Sequence, residues 1–223
     1  MKDPFDSYEW LDALHLYCRL KPHFFFLLAQ QENNYDKNIP ASHPRLHQLI
    51  EYYSSSYKVG IHPSWQSGDD PVLLKEEIEL LEYIADRHIV HSRQHYLRMS
   101  IPGTYRQLIK LGIRKDHSMG YGNMNGFRAS VASSFHWYDL ENEETTGLVI
   151  FPFCFSDTNA FYHQKFKARQ AFEELMRFYN VIKSVNGLMI TVWHNHFLGT
   201  DPRFAGWREV YEIFLKDEVY WER

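Results

Sequence analysis

Cysteine is scarce. Among 223 residues only Cys18 and Cys154 carry a thiol, too few for a disulfide framework and compatible with a reducing compartment. Both sit beside apolar segments and read as buried small hydrophobes. Blocks of like charge are missing as well. The formal net charge is -4, with 24 basic and 28 acidic residues dispersed along the chain, and no basic tract points to nucleic acid or an acidic membrane surface. The longest apolar run, Phe24 to Ala29, falls far short of the roughly 20 residues that cross a bilayer. The opening MKDPFDSYEW lacks the charged and apolar regions of a secretory leader. The expectation is a cytoplasmic protein without a membrane span.

Several chemical templates are absent too. There is no Gly-x-Ser-x-Gly elbow, no Walker motif, no His-Glu-x-x-His and no cysteine pair at zinc spacing. Gly120-Tyr-Gly-Asn-Met-Asn-Gly126 has the wrong spacing for a dinucleotide fingerprint.

What the chain does have is histidine, 13 in all, and an aromatic share of 17%. Aromatics fill cores and also line sugar clefts, so composition alone leaves both uses open. Helical spacing appears over 6–19 (Tyr8, Leu11, Leu14, Cys18), 45–57, 70–86, 102–111, 163–184 and about 206–216. Asp70-Pro71 is a strong helix start. Apolar runs at 23–29, 59–62, 148–155 and 188–193, with extended segments at 88–92 and 113–121, read as strands. The run at 23–29 reads as buried on both faces, and Pro152 suggests a bulge or an edge. Alternation of strand and helix with short connections predicts a mainly parallel sheet covered by helices, either open and doubly wound or closed into a barrel. No repeat or linker interrupts 1–223, so a single domain is expected.

In either architecture chemistry gathers where strands end. The strand-like segments deliver His62, then Arg93 and His95, then Asp116, then His194-Asn195-His196. A lone strand-end histidine is more often a hydrogen-bonding or surface residue than a ligand, and the case rests on the set. His91 and His95 would lie about 13 Å apart in a strand, too far to share an ion, so one of the two, His95, is taken as a site residue. His194 and His196 would lie about 7 Å apart on one strand face, which an ion could bridge. Arg93 could anchor a carboxylate, against a plain surface ion pair. Asp116 could orient a histidine, against a turn residue.

At these residues the sequence resembles the polysaccharide deacetylases of the NodB-homology type, carbohydrate esterase family four and its divergent relatives. Val59-Gly-Ile-His62-Pro-Ser is similar to the segment carrying a metal-binding histidine. Ser92-Arg-Gln-His-Tyr96 resembles the arginine-containing motif. Leu111-Gly-Ile-Arg-Lys-Asp116-His-Ser118 and Trp193-His194-Asn195 resemble two later blocks. The likeness runs from about residue 22 to 196, and a bacterial branch whose relatives include cell-surface polysaccharide enzymes is nearest. It implies a distorted (β/α) barrel and metal-dependent removal of acetyl groups from N-acetylated sugars. A divalent metal, zinc first, would be held by His62 and His95. His194 would serve as catalytic acid, Arg93 would hold the base carboxylate, and Asp116 completes the catalytic set. Trp65, Tyr96, Tyr121, Arg128, Trp193 and Asn195 would meet the acetylated glycan. Two family features are not found. No Thr-Phe-Asp-Asp block precedes residue 22, so the first strand with its base and metal-binding Asp is expected to be missing, by truncation or by natural loss. Four residues after His62 stands Gln66, where a second histidine is usual.

Three readings therefore stand. The first is a carbohydrate deacetylase, inactive as this chain if the missing Asp block costs it the base. The second is a non-catalytic carbohydrate binder using Trp65, Tyr96, Tyr121 and Trp137. The third is a hydrolase of other non-peptide C–N bonds.

Overall fold

The computed structural model describes residues 3–219; Met1, Lys2 and 220–223, the ends of the span 1–223 expected as one domain, lie outside the described residues. In chain order the elements are α1 (Tyr8–Tyr17), β1 (His23–Phe26), α2 (Pro44–Ser56), β2 (Lys58–Ile61), α3 (Pro71–Ala85), β3 (His91–Ser92), α4 (Gly103–Lys110), β4 (Lys115–Asp116), β5 (Phe135–Asp139), β6 (Glu144–Ile150), β7 (Phe155–Ser156), α5 (Ala168–Ser184), β8 (Thr191–Val192) and α6 (Trp207–Ile213). They group into two compact units, one made of 22–119 with 134–151, the other of 1–21, 120–133 and 152–223.

The first unit is built on a six-stranded sheet in the order β1-β2-β3-β4-β6-β5. Every pairing is parallel except the β5–β6 hairpin at one edge. Its buried residues include Leu28, Ile50, Tyr53, Ile61, Leu81, Leu108, Ile113 and Leu148. Phe24 of β1 packs its ring 4.1 Å from Tyr53 of α2, joining sheet to helix. α3 starts where its sequence says it should. Pro71 stands in its first turn, and Asp70 Oδ1 accepts from the backbone N–H groups of Val72 (2.9 Å) and Leu73 (3.1 Å), two donors a helix cannot satisfy internally. Arg106 of α4 forks onto Asp139 at the end of β5, with bonds of 2.7 and 2.8 Å, fastening the hairpin to the helix.

Gly60 of β2 sits where no side chain fits. A Cβ there would lie 2.7 Å from the Phe25 ring and 2.8 Å from the carbonyl oxygen of His91. The backbone oxygen cannot swing away, so Gly60→Val is expected to cost about 1–3 kcal/mol through overpacking, read as a lower urea midpoint.

The second unit holds the two-stranded parallel pair β7–β8 and the helices α1, α5 and α6. Its core gathers Leu11 and Leu14 of α1, Phe155 of β7, Leu175 and Phe178 of α5, Phe197 and Trp207. Cys18 and Cys154 are buried free thiols, and burial pushes the Cys154 thiol up to about 12. Among the described residues no helix is long and apolar enough to cross a membrane.

Several boundaries differ from the sequence expectation. The run from His23 yields only four strand residues, all half-buried rather than buried on both faces, while Leu28 and Ala29 just beyond are buried. The strand expected at 148–155 is two, β6 ending at Ile150 and β7 starting at Phe155; Pro152 lies between them and creates no bulge. The helix expected from 163 starts at Ala168. Asn159–His163 form a wider turn, and Lys165 has φ 58, a left-handed backbone that breaks the helix.

Candidate functional site

Register brings the polar residues of the first unit to the carboxyl ends of its parallel strands. Phe26 pairs with Ile61, Ile61 with Ser92 and Ser92 with Asp116, so His62, Arg93 and His117 each follow the last paired residue of their strand. Their backbone N–H groups continue the ladder, donating to Phe26, Ile61 and Ser92 at 2.9–3.0 Å.

His62 and His95 meet. His62 Nδ1 lies 2.5 Å from the Arg93 carbonyl oxygen, His62 Nε2 lies 2.9 Å from His95 Nδ1, and His95 Nε2 lies 3.1 Å from the Tyr35 carbonyl oxygen. A carbonyl only accepts, so both outer nitrogens carry hydrogen. The inner contact joins the two remaining ring nitrogens. Asp36 is fully buried, and its Oδ1 stands 3.6 Å from His95 Nε2. Asp36 also accepts from the Trp65 backbone N–H at 2.9 Å and from Asn33 at 2.8 Å. Around this chain the rings of Tyr35 and Trp65 stack at 4.0 Å, and Tyr96 stands edge-on to both.

Arg93 reaches over the Phe25 ring, 5.0 Å from its centroid. Asp116 is buried and accepts from Ser92 Oγ (2.8 Å), Ser118 N (2.9 Å) and Ser118 Oγ (2.8 Å). Its bonds go to serines, not to the histidine it was expected to orient. Burial pushes its carboxyl up, partly offset by those hydrogen bonds.

A histidine with a carboxylate partner is found in the second unit. His194 follows β8, and Asp157 follows β7. Asp157 Oδ2 accepts the His194 backbone N–H at 2.6 Å, and Asp157 Oδ1 faces His194 Nδ1 at 2.6 Å. The bond puts the ring hydrogen on Nδ1 and leaves Nε2 to exchange a proton. Asp157 is fully buried, whereas the His194 side chain is 36% exposed. His196 does not share a strand face with His194. β8 ends at Val192, His196 lies in the turn Asn195–Phe197, and the two rings are 5.6 Å apart. His196 packs against Phe197 and Phe204, and burial lowers it to about 4. In the same unit Trp193 Nε1 donates to Thr191 at 3.1 Å, Arg128 donates to the Gly120 carbonyl at 3.2 Å, Asn195 donates to the Phe5 carbonyl at 3.5 Å, and Tyr121 lines the approach to Gly126.

A third constellation was not anticipated as a set. His23, His91 and His117 place one ring nitrogen each within 4.8 Å of one another. His91 was set aside in favour of His95, and His23 and His117 were passed over.

Comparison with solved structures adds one finding. The chain superposes on the crystal structure of a provisionally assigned polysaccharide deacetylase from Mycobacterium smegmatis with a TM-score of 0.64, over 96% of this chain and 72% of that one, at 16% identity. That likeness assigns the fold. The chain is a mixed α/β protein with a parallel sheet and the fold of a deacetylase-like structure. No family model and no curated protein sequence matches it.

The metal expected from the sequence resemblance can be tested against the rim. His62 Nε2 and His95 Nδ1 converge, but Asp36 stands beside His95 Nε2, on the other side of that ring. A catalytic zinc takes about three protein ligands. The rim as built presents two.

Proposed function

We propose that this chain is a hydrolase domain of the carbohydrate-deacetylase kind, on a NodB-like distorted barrel, removing acetyl groups from N-acetylated sugars of a polysaccharide. The observation that carries the reading is the Asp157–His194 pair, combined with the deacetylase-like fold. Deacetylation must protonate a poor amine leaving group. A partly exposed imidazole held by a buried carboxylate is suited to that step. Asp157 fixes the tautomer and stabilises the imidazolium, and His194 Nε2 gives its proton to the departing nitrogen. Asp157 is proposed here in the orienting role that the sequence suggested for Asp116. Arg93 and Asp116 are proposed to shape the rim of the first unit.

A divalent metal, zinc first, is the proposed cofactor, with His62 and His95 as its donors, and it needs a third donor beyond them. No step is derived through it. Within the first unit Trp65 and Tyr96, with Tyr35, offer flat faces on which sugar rings stack; within the second unit Tyr121, Arg128, Trp193 and Asn195 are proposed as glycan contacts. The test is acetate release from an N-acetylated oligosaccharide by the purified chain. Activity that falls at least about 100-fold in His194→Ala supports the reading; absence of release with and without added zinc sinks it.

A second reading is favoured by the aromatic trio itself. Tyr35 and Tyr96 are 44% and 61% exposed around the half-buried Trp65, an arrangement that binds glycan without cleaving it. Binding lost in Trp65→Ala, with no acetate formed, would select this reading.

A further inference from the structure

We propose that His23, His91 and His117 form a binding site for a borderline transition-metal ion, Zn2+ in the first place, separate from the His62–His95 rim pair. The inference does not rest on the hydrolase reading.

The backbone builds the site. His23 opens β1, His91 opens β3 and His117 follows β4, three strands of one sheet. Between β1 and β3 runs β2, and the pairing of Phe25 with Gly60 places a glycine in the gap. With no side chain at Gly60, the His23 and His91 rings approach to 4.9 Å, and the His23 and His117 rings to 5.4 Å. His117 is fixed by stacking on Phe151, 4.8 Å away and 13° from parallel, with Phe25 at 5.2 Å on its other flank. Aromatic walls hold the rings where packing density forbids much movement.

The spacing suits an ion. His91 Nδ1 and His117 Nε2 are 3.0 Å apart, and all three ligand atoms fall within 4.8 Å. Nitrogens bound to tetrahedral zinc at about 2.0–2.1 Å stand about 3.3 Å from each other. The 3.0 Å contact must open by a few tenths of an ångström and the wider ones, up to 4.8 Å, must close, a movement that falls to the half-buried His23. Three imidazoles and no carboxylate select zinc, copper or nickel over magnesium or calcium. His91 and His117 are 6% and 4% exposed while His23 is half-buried, so the open side of the site is at His23.

Two effects oppose each other. Lys58, Lys115 and Arg93 all disfavour positive charge on these rings, and a dication feels the same repulsion. Against this, all three imidazoles are neutral at pH 7. Burial, aided by those cations, lowers His23 and His91 to about 4 and His117 to about 2. The ring hydrogen in the 3.0 Å contact between His91 Nδ1 and His117 Nε2 moves to the far nitrogen of its own ring when an ion binds. Lys58 is exposed on a long stem, so its charge can swing into water, whereas Arg93 is buried and lowers the affinity.

The experiment is calorimetric titration of the whole metal-free chain with Zn2+, paired with the visible absorption of bound Co2+. We expect one equivalent with a tetrahedral Co2+ spectrum that depends on His23 and His91. Its affinity should fall at least about tenfold in His91→Ala and in His23→Gln, and stay within twofold of the parent in His88→Ala, an exposed ring outside both histidine clusters. His23→Gln lies at the open side and keeps the test alive if a buried replacement fails to fold. No binding by the folded chain overturns the proposal. So does binding lost in His62→Ala or His95→Ala and kept in His23→Gln. Acetate release is measured separately, so a failed deacetylase reading leaves this result standing.

Discussion

Asp157→Asn is expected to lower the turnover of acetate release by about 10³-fold or more while leaving KM nearly unchanged. The carboxylate now makes two bonds to one residue, to the backbone N–H of His194 and to its Nδ1. An amide has one oxygen. If that oxygen keeps the backbone bond, the NH2 group faces Nδ1, which must then accept, and the hydrogen moves to Nε2. The acid is thereby in the wrong tautomer and loses the charge that stabilises its protonated form. Far-ultraviolet circular dichroism and the urea midpoint separate this from unfolding. Loss of a charge-assisted hydrogen bond should cost about 1.5–3 kcal/mol, which a domain of this size can survive. Activity within tenfold of the parent would remove His194 from the chemistry.

Stability is expected to fall steeply below neutral pH. His23, His91 and His117 lie below the unfolded value of 6.5 in the folded chain, as do His15 and His196, both at about 4, chiefly through burial. Above pH 6.5 these rings are neutral in both states and add nothing. Below it the unfolded chain takes up protons that the folded chain refuses. Each such ring costs about 1.4 kcal/mol per pH unit until the pH reaches its folded value, near 4 for most and near 2 for His117. Asp116 and Glu77 act in the opposite sense, since burial raises both and acid relieves their charge. The histidines outnumber them. Urea unfolding at pH about 7, 6 and 5 measures the slope, and His117→Phe, between Phe25 and Phe151, should flatten it by about 1.4 kcal/mol per pH unit. A pH-independent midpoint across that range would mean these rings are protonated in the fold.

The helices were legible because each has a long apolar stripe and several have a punctuated start; Asp70-Pro71 marks α3 to the residue. Strand ends were legible as places where polar residues follow apolar runs, and that rule led to His62, Arg93 and His95. It should also have led to Asp157, which follows the apolar run Phe151–Phe155 as His194 follows its own. The break at Pro152 drew attention away. β5 carries no apolar run: Phe135–Asp139 sets Phe, Trp and Asp on one face and His and Tyr on the other, and the strand draws its stability from β6 beside it. Asp36 lies in a polar loop where nothing local separates a buried carboxylate from a solvated one. His23 and His117 stand 94 residues apart in sequence, and only the strand order β1-β2-β3-β4 makes them neighbours.

The two units draw unequally on the chain, and this orders events during synthesis. The sheet unit is complete once residue 151 has emerged, whereas the other takes its first segment from 1–21 and its last from 152 onward. At about 5–20 residues per second, the nascent α1 waits several seconds for its partners. During that wait Leu11, Leu14 and Cys18 have no Phe155, Leu175 or Trp207 to cover them. α1 is thus synthesised well before the partners that bury it, and its apolar stripe is a surface a chaperone could cover in that interval.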